Sequence, residues 1–379
     1  MKDKTKVISI VLFLPVLIML ISCQKQKAEW KGTIEEVNGV TIVKNPKEPM
    51  YGEDVFRLEE DLTLEKKEGS EEYLFERVRN IDIDKNDNIY ILDDKAVRIR
   101  IFDKNGELIR TFGSKGQGPG EMQMPINVQI TSKNEVIVHD YMAQRLSFFS
   151  LDGKYLRQKS TAKTRNLSIP IRMDSQGNLI GFAAFAPPPI GGKELIIYDS
   201  NLELLKIVTK EERGTRGLFD IGKSSLYCDV SPSDNIVWGD SKEYVLQILN
   251  QGGDLIKRII KEHNPIEITA EDKERYEKQY AEPVKRGMRI NFRSHFPAFS
   301  EISVDDEERI FVKTYERVEG KEDLFYFDVF ESGGKYIAKV PIKPSLNRDF
   351  VWKRNKLYTL EEDDEGYHIV KRYKVIWRY

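Results

Sequence analysis

Short apolar or β-branched runs, separated by clusters of Asn, Asp and Gly, dominate the chain from residue 78 onward. Between residues 78 and 125 there are four such runs, at 79–83, 89–92, 98–102 and 108–112. Turn clusters at 84–88, 93–95 and 103–106, and then a glycine-rich loop, separate them. Period-two alternation bounded by turn residues predicts strands. Asn105-Gly106 supplies the positive φ angles of a tight hairpin. The stretch therefore reads as one four-stranded antiparallel sheet, which cannot bury both apolar faces without neighbours of its own kind.

Those neighbours are present. The second-strand phrase Asn88-Ile89-Tyr90 recurs as Glu135-Val136-Ile137, Asn178-Leu179-Ile180, Asn235-Ile236-Val237, Arg309-Ile310-Phe311 and Lys356-Leu357-Tyr358. Successive copies lie 47, 43, 57, 74 and 47 residues apart. The third-strand phrase Ile101-Phe102-Asp103 recurs beside it, for example as Phe148-Phe149-Ser150 and Val329-Phe330-Glu331. Six copies predict an all-β fold, a six-bladed β-propeller of four-stranded antiparallel blades, which removes exposed edges by closing a ring of sheets. Length alone would allow two or three domains. The repeat instead places one propeller over residues 54–379, after an address at 1–22 and a tether and hairpin at 23–53.

The first blade's Asp93-x4-Arg98, then Phe102-Asp103, Gly106 and Phe112-Gly113, followed by Gly116-Gln117-Gly118-Pro119-Gly120-Glu121, resembles the NHL-repeat propellers. Blade two repeats the spacing as Asp140 and Arg145. The nearest resemblance is to bacterial six-bladed propeller lipoproteins of that superfamily. It implies the fold and leaves function open, because such propellers host lyases, lactonases and binding modules alike.

The first residues read as an address. Lys2, Lys4 and Lys6 precede an apolar run at 7–21 that is short for a membrane span. It ends Leu20-Ile21-Ser22-Cys23, the lipobox pattern of bacterial lipoproteins, which makes Cys23 the acylated mature N-terminus. Gln24 follows with no Asp to suggest inner-membrane retention, so an outer-membrane lipoprotein, periplasmic or surface-facing, is expected. Loss of residues 1–22 removes three Lys and one Asp and takes the net charge from −2 to −4. With 60 basic and 62 acidic residues, no charge excess points to nucleic acid. Once Cys23 carries lipid, only Cys228 remains, so no internal disulfide forms; its apolar strand marks a buried structural thiol.

Residues 30–43 read as a hairpin around Asn38-Gly39, ended by Pro46 and Pro49, packing on the outside of the ring or across one mouth. A strand at 54–58 is expected to pair with the last blade, which has only three strands of its own, at 357–360, 367–373 and 375–379. The apolar, proline-rich connection 182–192 is either a contact surface or a loop packed on its neighbour. One helical insertion interrupts the repeat at about 266–296. Thr269 caps a helix over 270–284, and Gly287 closes it. The basic and aromatic residues that follow, Arg286, Arg289, Phe292, Arg293 and His295, form the candidate binding segment. The insertion makes this spacing 27 residues longer than the 47-residue repeat, and long excursions on a rigid scaffold are where binding concentrates.

The glycine loop at 113–120 lacks the Lys-Ser/Thr of a phosphate cradle and no helix pattern follows it, so it reads as a blade-to-blade crossover. Asp93/Arg98 and Asp140/Arg145 read as structural hydrogen-bonded pairs. The four His (139, 263, 295, 368) are scattered, and no metal-ligand spacing appears. Aligning the innermost strands on Asp84, Thr131, Asp174, Ser231 and Asp305 puts Ile81, Val128, Ile171, Cys228 and Ile302 between blades. It turns Asn80, Asn127, Arg172, Asp229 and Glu301 toward the central channel. Propeller lactonases hold a divalent cation with Glu, Asn and Asp from such strands. Resemblance therefore makes Asn80, Asn127, Asp229 and Glu301 calcium-type ligand candidates, against the favoured reading of a polar channel with no metal and no cofactor. The expected function is a non-catalytic, membrane-tethered module binding a protein or a small extracytoplasmic ligand. The alternative is a metal-dependent hydrolase or lyase acting at the channel mouth.

Overall fold

The structure is a computed structural model that describes residues 29–65, 71–185, 192–212, 217–345 and 350–379. Six sheets stand around an axis. Blade one comprises Val78–Ile83, Ile89–Asp93, Arg98–Phe102 and Leu108–Phe112. Blade two comprises Pro125–Ile130, Glu135–Asp140, Arg145–Ser150 and Tyr155–Ser160, and blade three Asn166–Met173, Leu179–Phe185, Gly192–Tyr198 and Leu204–Glu212. Blade four holds Leu226–Val230, Ile236–Asp240, Val245–Leu249 and Leu255–Lys261, and blade five Glu301–Val304, Ile310–Val318, Lys321–Phe330 and Tyr336–Ile342. In each of these blades the strands pair antiparallel in chain order, and first strands of neighbouring blades pack together around the axis.

The repeat register holds at the atomic level. Each anchor residue donates its amide to the carbonyl four residues on: Asp84 to Asn88 at 3.1 Å, Thr131 to Glu135 at 2.9 Å, Asp174 to Asn178 at 3.0 Å, Ser231 to Asn235 at 2.9 Å and Asp305 to Arg309 at 3.0 Å. The apolar partners of these strands form a core in six wedges, one per blade interface. Blades one and two, for instance, enclose Tyr90, Leu92, Ile99, Val128, Val138 and Phe149. Cys228 lies in the wedge between blades three and four, and burial pushes its thiol up to about 12, as an inert structural thiol requires.

Blade six closes the ring. Its strands are Val351–Lys353, Lys356–Glu362 and His368–Trp377, and the fourth is Phe56–Leu64, from before blade one. The clasp is antiparallel, from Val370↔Leu64 to Trp377↔Phe56. Three details differ from the sequence reading. The clasp strand starts after a 3-10 turn at Glu53–Val55 and runs to Leu64. The stretches at 367–373 and 375–379 are one continuous strand with a register shift at Arg372/Tyr373. The blade's first strand, Val351–Lys353, has only three residues, too few to show alternation. It turns through Arg354 and Asn355 at φ 52° and 55°, a two-residue hairpin without glycine.

The hairpin, Thr33–Val37 with Val40–Asn45, lies on the outer rim rather than across a mouth. Val40–Asn45 adds parallel to Leu255–Lys261 and makes a six-stranded sheet of blade four. Asn45 ties that rim to blade five: its Nδ2 donates to Gly334 O at 2.9 Å and its Oδ1 accepts from Tyr336 N at 2.7 Å. The indole of Trp30 donates to the same Oδ1 at 2.9 Å.

Candidate functional site

The insertion leaves blade four after Lys261. Thr269 and Asp272 form a capping box, each accepting the other's main-chain N–H at 3.1 Å. Helix α1 runs over Ala270–Gln279, and Tyr280 separates it from α2 at Ala281–Lys285. The expected single helix is thus two. Pro283 sits in the first turn of the second, where its missing N–H would have had no partner anyway. Gly287, at φ 92°, turns the chain into a strand at Arg289–Phe292.

That strand pairs in parallel with Leu218–Ile221, part of the connection between blades three and four. Two further features lock the ribbon. Asp220 accepts from Arg293 Nη2 at 2.9 Å and Asn291 Nδ2 at 2.8 Å, and the Arg293 hydrogen bond holds its carboxyl below the ordinary range. Phe219 stacks on Tyr280 at 4.2 Å between centroids, and Tyr276 leads on to Phe296, itself stacked on Tyr315 at 4.4 Å. Sequence reasoning identified the helix but missed this aromatic row and the ribbon. The ribbon's partners lie 71 residues apart in the chain and Phe219 lies 61 from Tyr280, so no local pattern links them.

The five binding candidates fall on one segment at this end of the propeller. Arg286 and Arg289 are exposed and have no side-chain partner among the described residues. Phe292 is half-buried opposite Ile221. Arg293 is engaged by Asp220, and His295 is exposed with Nδ1 2.9 Å from Ser294 Oγ. In the apolar connection, Phe182 is buried in its strand, and residues 186–191 lie outside the described residues.

The inner-strand polar residues reach sideways around the ring. Asn80 Oδ1 accepts from Val128 N at 2.6 Å, and Asp82 Oδ2 from Ile130 N at 2.7 Å, joining blade one to two. Gln129 accepts from Met173 N at 2.8 Å, joining two to three. Arg172 Nε stands 3.8 Å from Asp229 Oδ1, and Asp229 Oδ2 accepts from Val304 N at 2.9 Å, joining three to four and four to five. Trp352 Nε1 donates to Ser303 Oγ at 3.2 Å between five and six. Burial raises the Asp229 carboxyl despite the neighbouring Arg172. Asn127 and Glu301 are buried, opposite His139 and Lys313 in their ladders. Asn80, Asn127 and Glu301 share one level, and Asp229 lies two residues farther along, roughly 7 Å at strand rise. Among the described residues no three His, Cys, Asp or Glu side chains gather as a metal site.

The remaining motifs are architectural. Asp93 accepts the amides of Glu76, Arg77 and Ala96 at 3.0–3.1 Å, and Asp140 those of Gln123 and Met124 at 2.8 and 2.9 Å. Arg145 lies 3.9 Å from Asp140 and pins the glycine loop by donating to Glu121 O at 2.8 Å. In blade one the ion pair to Asp93 comes from buried Arg100 at 3.8 Å, not from Arg98. The loop folds onto its own carboxylate, Gly118 N donating to Glu121 Oε2 at 2.8 Å, as a crossover would. His368 Nδ1 accepts from Val78 N at 3.0 Å across the closing interface.

A family model described as a 6-bladed beta-propeller (DUF5128) matches residues 35–216, which span the hairpin, the clasp strand and blades one to three. No curated protein matches the chain. Among solved structures, a Bacteroides fragilis protein named as exported aligns with TM-score 0.55 and 13% identity over 89% of this chain and 100% of that one. A DUF4221 family member from Bacteroides vulgatus aligns with TM-score 0.52 and 13% identity over 86% of this chain and 100% of that one. At that identity the likeness establishes the fold alone. A gluconolactonase from Xanthomonas campestris, at TM-score 0.43 and 8% identity over 79% of this chain and 88% of that one, is too distant to carry chemistry across. No helix among the described residues is long and apolar enough to cross a membrane; Cys23 lies outside them.

Proposed function

We propose that this chain is an exported, lipid-anchored propeller of the NHL-repeat type that binds a partner protein or a small extracytoplasmic ligand without acting on it chemically. The observation that carries the reading is the division of labour between the two candidate regions. At the channel, oxygens of Asn80, Asp82, Gln129 and Asp229 already accept hydrogen bonds from the next blade. Asp229 has one oxygen beside Arg172 and the other on Val304 N, and it stands two residues along the strand from the level of Asn80, Asn127 and Glu301, which weighs against a shared cation in the lactonase-like alternative. The insertion is instead held rigidly by two inter-blade connections while leaving Arg286 and Arg289 exposed. Exposed cations on a segment whose backbone is paired to its neighbour suit recognition rather than catalysis.

The Lys2, Lys4 and Lys6 leader, the apolar run and Cys23 support export and acylation, and the exported Bacteroides fragilis relative in fold is in keeping with them. Gln24 after the cysteine supports an outer-membrane address. The test replaces residues 270–293 with a short Gly-Ser link and compares what the acylated protein captures from membranes. Loss of captured partners or ligands is expected. Undiminished capture of all of them, with the propeller still folded, would overturn the proposal.

A further inference from the structure

The chain at Trp30, the start of the hairpin, and the insertion lie at the same end of the propeller. The hairpin strand Val40–Asn45 runs parallel to Leu255–Lys261, with Asn45 opposite Lys261. Thr33 pairs with Lys44, so the chain enters the hairpin at that end too, and Trp30 is fixed there by its bond to Asn45. The insertion departs just after Lys261, and Glu262 N donates to Asn45 O. Residues 24–29, even fully extended, span at most about 20 Å. The turns at the opposite end, such as that at Asp103–Gly106, lie about a strand length beyond, on the order of 20 Å. An acyl chain on Cys23 therefore holds the insertion end within reach of the bilayer and leaves the other end away from it.

A rim exit alone would also permit the propeller to lie on its side. Charge decides between the two. On the rim hairpin Glu35 is neutralised by Lys44 at 2.7 Å, and exposed Glu36, held only by the Thr41 hydroxyl, is repelled by an anionic surface. At the insertion end, the charges of α1 largely pair with each other, Lys278 with Glu274 at 2.7 Å and Arg275 with Asp272. Lys285, at the end of α2, pairs with Glu282 at 2.6 Å, which leaves Arg286 and Arg289 as the exposed cations without a side-chain partner among the described residues, with Val284 exposed at 40% beside them. Exposed charges act over a Debye length of about 8 Å at physiological ionic strength; the short tether lets these cations come that close to anionic headgroups, and their attraction then holds them there.

We infer that the insertion end of the propeller faces the membrane to which the chain is anchored, with Arg286 and Arg289 against anionic headgroups. The inference rests on the acylated-anchor reading above and adds to it a direction. Any partner of the insertion then meets it at the membrane surface, and the turns of the opposite end face away.

The test uses the full acylated chain in phosphatidylcholine vesicles containing phosphatidylglycerol, with an energy-transfer acceptor on the lipid headgroups. A donor dye is placed at an exposed insertion position, Gln279→Cys, or at an exposed far-end turn, Lys104→Cys; Cys228 stays buried and unlabelled. Higher transfer from 279 than from 104 is expected, with that difference lost in the Arg286→Glu/Arg289→Glu protein. Equal transfer, higher transfer from 104, or a difference unchanged by the charge reversal would each overturn the inference. A mass measurement of the Cys23 peptide separates the two claims: an unacylated cysteine sinks the anchor reading and the orientation with it. An acylated cysteine with reversed transfer sinks the orientation alone.

Discussion

At the level of single residues, the channel shows how far alternation can be read. The period-two pattern correctly separates Ile81, Val128 and Ile171, buried between blades, from their polar neighbours. What no local pattern reveals is where the polar side chains find partners. Asp82 and Gln129 bond to main-chain groups 48 and 44 residues away, in the next blade. Such bonds satisfy amides that face the axis, and leaving one orphaned costs about 1–3 kcal/mol. His139 is a residue-scale case with a pH signature. It is 2% exposed with Nδ1 unpartnered among the described residues, and burial lowers its pKa to about 4, Asp140 opposing only in part. The unfolded chain protonates this side chain near the ordinary value of about 6.5. The folded state therefore binds fewer protons below that pH. The His139 contribution to stability is whole above about 6.5, falls as pH drops toward 4, and by about pH 5 has lost roughly 2 kcal/mol. Denaturant unfolding at pH 7 and pH 5 should show that loss in the natural protein. In His139→Leu the loss should shrink by about that amount, and an unchanged difference would count against a buried neutral imidazole.

At the level of elements, the repeat made the blades legible because each strand announces itself within five or six residues. Val351–Lys353 escaped notice because three residues cannot alternate visibly and its turn lacks glycine. The insertion was half legible. Its cap, Thr269 with Asp272, follows local rules, whereas the ribbon pairing Leu218–Ile221 with Arg289–Phe292 is a non-local choice. Asp220→Ala removes the partner of both Arg293 and Asn291. We expect faster amide exchange and proteolysis across residues 270–293 with a nearly unchanged unfolding midpoint, since each blade wedge stays intact. A matching drop in global stability would mean that the insertion is part of the propeller core and not an appended platform.

At the level of the whole molecule, the clasp was legible for an arithmetical reason: the last blade is one strand short, and a strand-like run before blade one is left over. The six wedges, the side-chain latches between blades and the clasp together close the ring. One end of that ring carries the insertion helices and the exposed Arg286 and Arg289. The functional claim is that recognition belongs to that end and not to the channel. It is tested most directly by capture from native membranes with three acylated proteins: the natural chain, Arg286→Glu/Arg289→Glu, and Asn127→Ala/Glu301→Ala. The account predicts that the insertion variant loses the captured partners or ligands while the channel variant keeps them; a channel variant that loses them while the insertion variant keeps them would contradict it.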